Sequence, residues 1–181
     1  QWLAISREVG DRRNEGNALG NLGNAWYLLG EYHRAIEFYE QRLVIAYEIG
    51  DRRGEGVVLG HLGNIWAPLN EPRRAIEYYE QALVISREIG DRRHEGNVLG
   101  NLGNAWSLLD VPLQAIDCYE QHLTIAREIG DRRGEGQALG NLGIAYKDLG
   151  EPCRAIEYYE QSLVIAREIG DRRGEGAVLN N

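Results

Sequence analysis

The apolar residues of this chain recur at the spacing of an amphipathic α-helix. The first stripe consists of Leu19, Leu22, Trp26 and Leu29. These positions are i, i+3, i+7 and i+10, so their side chains share one helix face. The stripe returns about every 40 residues, and a second stripe of the same kind follows each copy. The first of these second stripes is made of Ile36, Tyr39, Leu43 and Ala46.

This period organises the whole sequence. The segment Asp-Arg-Arg opens each copy, at Asp11, Asp51, Asp91, Asp131 and Asp171. Because two helical stripes fall within each period, the sequence predicts an all-α solenoid of helix-turn-helix repeats. We predict one repeat array over residues 1–181. It divides into a partial repeat 1–10, full repeats 11–50, 51–90, 91–130 and 131–170, and a partial repeat 171–181.

End signals predict where the helices begin and end. Asp11 and its copies stand where an N-cap carboxylate accepts the first free amides of a helix. Pro72 and its copies stand in the first turn of the second helix, where a missing N–H costs nothing. Gly50 and its copies follow the second helix as left-handed C-caps. The predicted first helices lie near 12–29, 52–69, 92–109 and 132–149, and the second helices near 32–49, 72–89, 112–129 and 152–169.

Glycines recur inside the first helices, although each is weaker there than alanine by about 1 kcal/mol. In the first copy they are Gly16, Gly20 and Gly23, at i, i+4 and i+7. This spacing predicts a smooth strip on which a neighbouring helix approaches closely. Isolated helices of this composition are poor, so we expect the stability to come from the stacking of repeats.

Composition narrows the function classes. With 43% hydrophobic and 27% charged residues the chain has the balance of a folded protein, and its net charge of -8 disfavours nucleic acid as a partner. No apolar run is long enough to span a membrane. Two distant cysteines, Cys118 and Cys153, fit a reducing compartment, and we predict a cytoplasmic location. The absence of methionine leads us to expect a piece of a longer protein.

No catalytic or cofactor signature stands out. His33, His61, His94 and His122 share no i, i+4 spacing, so no metal site is expected. The glutamates repeat on helix faces in every copy, which is typical of a solvated coat and not of a catalytic pair. No nucleophile–base set or phosphate loop is present. The sequence therefore predicts a protein that is not an enzyme and needs no cofactor.

The segment from Asn21 to Trp26, reading Asn-Leu-Gly-Asn-Ala-Trp, followed by Gly30, Ala35-Ile36 and Tyr39, resembles the tetratricopeptide repeat. The longer period and the Leu-Gly-Asn string are similar to the Leu-Gly-Asn subclass of that family. The resemblance covers essentially the whole chain. It implies a right-handed superhelix whose concave side is lined mainly by the first helix of each pair, and a role in holding a protein or peptide.

Members of the Leu-Gly-Asn subclass hold an extended peptide with asparagines on that lining. The resemblance implies the same role here for Asn24, Asn64 and Asn104, and for the preceding Asn21, Asn101 and Asn141. A carboxamide has an acceptor and two donors and is able to pair with both halves of a peptide unit. Other residues predicted on the lining, which differ from copy to copy, include Tyr27, His61 and Lys147.

The chain departs from the family pattern at several positions. Ile144 and His61 interrupt the asparagine row, and no cations precede it, so a carboxylate clamp of the chaperone-binding type is not expected. A packing position that usually holds alanine is variable, and we expect its longer side chains to point outward. Its occupants are Trp2, Arg42, Ala82, His122 and Ser162.

For several features the sequence supports two interpretations. The asparagines either contact a ligand or bond between helices. Arg12 and Arg13, with their copies, either bind an anion at a helix N-terminus or pair with Asp11, Glu15 or glutamates of adjacent helices. Pro68 either stops its helix early or shapes a notch for a ligand.

Three functional hypotheses follow. The first is a protein-interaction scaffold that binds a peptide or partner segment in the groove. The second is a regulatory sensor arm of a larger signalling ATPase or transcription regulator. The third is head-to-tail self-association through the cut repeats at the two ends, where Leu3, Ile5 and Leu179 present apolar faces.

Overall fold

The computed structural model describes residues 2–179, with side chains up to Ala177. Within that range the chain forms ten α-helices and no strand. They are α1 Trp2–Glu8, α2 Arg12–Leu28, α3 Tyr32–Ile49, α4 Arg52–Trp66, α5 Pro72–Glu88, α6 Arg92–Leu108, α7 Pro112–Glu128, α8 Arg132–Asp148, α9 Pro152–Glu168 and α10 Arg172–Leu179. The all-α helix-turn-helix architecture predicted from the sequence is confirmed.

The helices form two compact units. The first unit contains α1 to α5 and the second unit contains α6 to α10. In each, the even-numbered helix (the first helix of a pair) packs mainly against the odd-numbered helix that follows it. α3 also packs on α4 in the first unit, and α7 on α8 in the second.

The predicted helix caps are present. The Asp51 side chain accepts a hydrogen bond from the Gly54 amide at 2.9 Å, and Asp131 accepts one from Gly134 at 3.0 Å. Proline occupies the first turn of α5, α7 and α9. Gly50, Gly90, Gly130 and Gly170 have left-handed φ angles of 66° to 69°. Local sequence signals therefore determine where most helices begin and end.

Pro68 shortens its helix, as one of its two interpretations predicts. α4 ends at Trp66, whereas α2 and α6 continue to Leu28 and Leu108, the positions that correspond to Pro68. The turn that follows each first helix contains a residue with positive φ. Glycine fills that position in two copies, while Asn70 and Asp110 adopt φ values of 60° and 58° in the others.

The predicted glycine strip is the surface on which the second helix packs. A Cβ on Gly103 would lie 2.7 Å from Cδ1 of Tyr119 and nearer still to Cε1. A Cβ on Gly23 would lie 2.6 Å from Cε1 of Tyr39. Both tyrosine side chains are buried. Because real Cβ contacts are never this short, glycine is what lets the tyrosine ring lie flat on the first helix.

A buried glutamate links successive helix pairs. Glu15 is bound by Arg12 from its own helix at 2.6 Å and by Arg7 from α1 at 2.8 Å. These hydrogen bonds, that of Arg7 first, hold the pKa of Glu15 below its ordinary value. Arg12 also pairs with Glu48 at the end of α3. The ion-pair interpretation is therefore correct for Arg12.

The same arrangement recurs in the second unit. Glu135 is bound by Arg127 at 2.9 Å and also by Arg132. Burial alone would raise the pKa of Glu135, but the two guanidinium groups outweigh it and the pKa lies below the ordinary value. In the other copy of the first unit, Tyr47 stands at the position that Arg7 and Arg127 occupy in their copies. The hydrogen bond between Tyr47 and Glu55 raises the pKa of the tyrosine hydroxyl.

The expectation that longer side chains at the variable packing position point outward is wrong for His122. This side chain is only 6% exposed. Its ring lies against Gly96 and Gly100 of α6, so the missing side chains of those glycines make room for it. Arg42 similarly lies across Gly20 and is half-buried. Ser162 is buried and donates a hydrogen bond to the Gly136 carbonyl at 2.8 Å.

None of the described helices is both long enough and apolar enough to cross a membrane.

Candidate functional site

The asparagines that follow Leu-Gly bond to the second helix of their own pair. The Tyr39 hydroxyl donates to Asn24 Oδ1 at 2.5 Å in the first unit, where Tyr79 likewise donates to Asn64 at 2.7 Å. In the second unit Tyr119 donates to Asn104 at 2.8 Å. We call each of these an asparagine–tyrosine bond. The bond shows that the inter-helix interpretation of these asparagines is correct, and ligand contact by them remains a prediction.

Burial keeps the tyrosine hydroxyls protonated. It raises the pKa of Tyr39 to about 12, and it also raises the pKa values of Tyr79 and Tyr119. In each pair the amide oxygen faces the hydroxyl, so the hydroxyl donates and the asparagine oxygen accepts. The asparagine–tyrosine bond therefore runs from the tyrosine hydroxyl to the asparagine oxygen.

This direction determines which hydrogen-bonding groups of the asparagine side chains remain available to a ligand. A carbonyl oxygen has two lone pairs, and Asn104 Oδ1 also accepts a hydrogen bond from Asn141 Nδ2 at 3.4 Å. The oxygen of Asn104 is thus fully used inside the second unit. Its exposed side chain retains the two N–H donors of the amide. Whether Asn104 pairs with a peptide unit stays a prediction, and its amide N–H groups are the donors that such a contact would use.

The fourth copy lacks this bond. Ile144 stands where the other copies have asparagine, and the Tyr159 hydroxyl oxygen is buried without a hydrogen-bond partner among the residues that the structure describes. The Tyr159 ring still covers Gly143, as its counterparts cover theirs. The substitution thus keeps the packing and loses the hydrogen bond.

This difference predicts opposite effects of one substitution in two copies. Tyr159→Phe removes an unpaired buried hydroxyl and is expected to raise the free energy of unfolding by up to about 1 kcal/mol. Tyr119→Phe removes a hydrogen bond to Asn104 and is expected to lower it by about 1 kcal/mol. Urea titrations of both variants measure the difference, and two changes of the same sign would contradict it.

Other predicted lining residues lie around these bonds. In the first unit the His61 ring contacts Tyr39 with ring centroids 5.2 Å apart, and Tyr27 lies 5.8 Å from Tyr32. Asn21 is exposed on α2. In the second unit the structure brings Asn104 and Asn141 together, while Asn101 is half-buried and Lys147 is exposed near the end of α8.

The tyrosine partners were missed by the sequence reasoning. A signal for them existed, because asparagine and tyrosine stand 15 residues apart in three copies. The fourth copy breaks the pair at Ile144. A search for polar residues at constant separation across the repeats would have indicated the contact.

In three copies an arginine of the second helix makes a cation–π contact with an aromatic residue of the first helix. Guanidinium carbons lie 4.5 Å from the ring centroids for Arg34 on Trp26 and for Arg74 on Trp66, and 4.0 Å for Arg154 on Tyr146. These contacts join the second helix to the first near the turn between them.

Comparison with known families gives the fold its name. Two family models described as tetratricopeptide repeat match the chain, one at residues 18–53 and 58–93 and the other at residues 108–168. Together the matched segments make up more than half of the chain. The chain belongs to the tetratricopeptide repeat family. Arrays of this family generally serve as non-catalytic interaction scaffolds.

Solved structures share the fold of this tetratricopeptide array. BtubC (BKLC) from P. vanneervenii is 23% identical with a TM-score of 0.81, over 88% of this chain and 66% of that one. Aspartyl phosphate phosphatase F from Bacillus subtilis is 15% identical with a TM-score of 0.88, over 92% of this chain and 44% of that one.

A third similar structure is a signal transduction ATPase with numerous domains from Pyrococcus horikoshii, which has a tetratricopeptide repeat sensor. It is 21% identical with a TM-score of 0.83, over 91% of this chain and 26% of that one. The array therefore spans less than two thirds of each of these three proteins. At these identities the likeness shows the fold alone. No curated protein matches the array in sequence.

Proposed function

We propose that this tetratricopeptide array is a non-catalytic scaffold in which each unit binds a segment of a partner protein along the asparagine-bearing face of its first helices. The observation that supports the proposal is the direction of the asparagine–tyrosine bonds. Asn24 and Asn104 direct their oxygens to tyrosines, so the groups left for a partner are N–H donors. Main-chain carbonyls of an extended segment are the acceptors that suit such donors.

Substitution by aspartate separates this function from the fold. Aspartate keeps an oxygen for the tyrosine hydroxyl but has no N–H to donate. We expect the triple variant Asn24→Asp, Asn64→Asp, Asn104→Asp to stay folded and to bind a partner segment at least about tenfold more weakly, since each lost hydrogen bond costs about 0.5–1.5 kcal/mol. The probe is a 12-residue peptide selected on the wild-type array from a random displayed library, and calorimetry gives its affinity.

The control carries the same change in charge on another face. Gln41→Glu, Gln81→Glu and Gln161→Glu alter exposed residues of second helices whose amides bond to carbonyls in the preceding turn. This control is expected to bind the peptide as the wild type does. Equal affinity of the aspartate variant and the wild type would remove the asparagines from the binding site.

A second proposal is a regulatory arm of a larger protein, as in the signal transduction ATPase that has a tetratricopeptide repeat sensor. The array corresponds to only 26% of that protein, which is the size relation that a sensor segment would have. The sequence of the complete parent protein tests it directly, because a nucleotide-binding or DNA-binding domain in the same chain is required. The division of the array into repeats 11–50, 51–90, 91–130 and 131–170 and a cytoplasmic location are further proposals, independent of this one.

End-to-end self-association is a weaker proposal. Ile5 is 50% exposed, whereas the corresponding Ile45 is 3% exposed, and Trp2 is also exposed. At the other end nothing lies within 4 Å of a Cβ on Gly176, although Gly16 and Gly136 each meet an isoleucine. The side chain of Leu179 lies outside the described residues. Sedimentation at increasing concentration tests the contact, and a monomer throughout would exclude it.

A further inference from the structure

His122 occupies a position in the second unit that no other copy fills with a titratable neutral side chain. Its counterparts are Arg42, Ala82 and Ser162. The imidazole lies between α6 and α8 and is only 6% exposed. A Cβ on Gly100 would lie 3.0 Å from its Nδ1, and a Cβ on Gly134 would lie 3.4 Å from its Nε2. The ring therefore fills a slot whose walls are glycine backbone.

Among the described residues, no acidic side chain is hydrogen-bonded to this ring to neutralise a positive charge on it. Nδ1 is buried and has no hydrogen-bond partner in the described part of the chain. On α7 itself Cys118 stands one turn earlier and is buried. From α6 and α8 the neighbouring walls are glycines, and Glu135 of α8 is already bound by two arginines.

The carboxylate that acts electrostatically on His122 is that of Asp131, and both of its oxygens already accept hydrogen bonds from other groups. One oxygen of Asp131 caps α8 through the Gly134 amide at 3.0 Å. Its other oxygen pairs with Arg93 of α6 at 3.1 Å. If Asp131 turned to an imidazolium at His122, it would give up the cap, the ion pair, or both.

We propose that His122 makes the second unit acid-labile, so that protonation of its ring at mildly acidic pH loosens the packing of α7 on α6 and α8 while the first unit stays intact. Of the other histidines, His33 of the first unit is exposed, and His61 of the first unit and His94 of α6 are half-buried. The equivalent packing position in the first unit is held by Arg42 and Ala82, and neither side chain titrates in this pH range. The opened population of the second unit would rise without any change in the first.

The direction of the pH effect follows from linkage. Burial lowers the pKa of His122 below its ordinary value of 6.5, with Asp131 acting in the opposite sense. The unfolded chain then binds the proton more readily than the folded one. The stabilising effect is complete above pH 6.5 and is lost as the pH falls toward the folded-state pKa. Between pH 7.5 and pH 5.5 the loss cannot exceed about tenfold in the folding equilibrium, because the unfolded histidine titrates only one unit above pH 5.5.

Hydrogen exchange on the full chain tests the proposal. Exchange measured by mass spectrometry at pH 7.5 and pH 5.5, corrected for the intrinsic pH dependence of exchange, gives a protection factor for each helix. For the wild type we expect protection of α6, α7 and α8 to fall by up to about tenfold at pH 5.5, and that of α2 to α5 to stay constant. His122→Ser, which introduces the residue found at position 162, should abolish the fall.

A matched control and a second measurement complete the test. His33→Ser removes an exposed histidine and should leave the fall in the second unit unchanged. Should His122→Ser not fold, an NMR titration of the wild-type imidazoles decides the question, with a pKa below 6.5 expected for His122. Equal protection at both pH values, a fall that persists in His122→Ser, or a pKa at or above 6.5 would overturn the proposal.

Discussion

Replacing Gly103 with alanine is expected to lower the free energy of unfolding by about 3 kcal/mol. The added methyl group would lie 2.7 Å or less from two ring carbons of Tyr119. That ring is 3% exposed, and its hydroxyl is held by Asn104, so it has no free direction in which to move. Overpacking of this kind costs about 1–3 kcal/mol, and the strained asparagine–tyrosine bond adds to the cost.

A second glycine in the same unit provides the control. A Cβ on Gly140 would meet only Ser162 Oγ, at an ordinary 3.5 Å. Alanine is a better helix former than glycine by about 1 kcal/mol, so Gly140→Ala is expected to stabilise the array by up to that amount. Urea unfolding followed by circular dichroism measures both variants. If Gly103→Ala were also stabilising, the glycine strip would not be a site of close helix packing.

The glycine strip illustrates how far the sequence leads. Its spacing predicts a smooth surface, and helical periodicity predicts which face of the first helix receives the second. What the spacing does not reveal is the nature of the contact, a tyrosine ring lying flat on Gly103. That contact joins residues on different helices, and only the fold brings them together. Local signals such as the Asp131 cap were predictable because both partners lie within four residues of each other.

The candidate site was predictable in part for the same reason. The positions of Asn24 and Asn104 on one face of the first helix follow from helical periodicity. Their bonds to Tyr39 and Tyr119 cross to the second helix and set the direction of the amide. The sequence alone is compatible with ligand contact and with inter-helix bonding. The structure shows the second, and it leaves the N–H donors of Asn104 for the first.

The inward orientation of His122 is not predictable from its own helix, because the size of a packing site depends on the residues that face it from the neighbouring helices. A long polar side chain beside a helix core is usually expected to direct its polar end to water. Here the opposing residues are Gly100 and Gly134, whose missing side chains create room for an imidazole. The two glycines stand 22 residues before and 12 residues after His122 in the chain. A comparison of all three positions together, copy by copy, would have indicated an inward orientation.

Removal of both arginines around Glu135 is expected to be among the most destabilising surface changes in the second unit. The Glu135 side chain is 10% exposed, while Arg127 and Arg132 are 53% and 45% exposed. Arg127→Ala with Arg132→Ala leaves a nearly buried carboxylate without its two donors. A fully buried charge stripped of its partner costs about 3–5 kcal/mol, and the partial exposure of the arginines reduces the expected loss to about 2–3 kcal/mol.

Neutralising the glutamate should rescue the double variant. Glu135→Gln in the same background removes the unpaired charge and keeps the shape, so the loss should fall to about 1 kcal/mol. Glu135→Gln alone, with both arginines present, is the control for the lost ion pairs. Chemical unfolding at pH 7 measures all three proteins. A double variant that is not improved by Glu135→Gln would show that the cost comes from lost arginine packing instead.

The pH dependence of the same variants gives an independent check with a definite sign. In the wild type the pKa of Glu135 is held below its ordinary value of 4.5, so its ion pairs stabilise the fold above that pH and the stabilisation is lost as the pH falls through the folded-state pKa. Without the arginines burial dominates, and the pKa of Glu135 should rise instead. The double variant is then relieved by protonation, and its difference from the wild type should shrink between pH 7 and pH 4. Titration of His122 affects both proteins alike and cancels from the difference. A gap that widened on acidification would mean that Glu135 is not the group left unpaired.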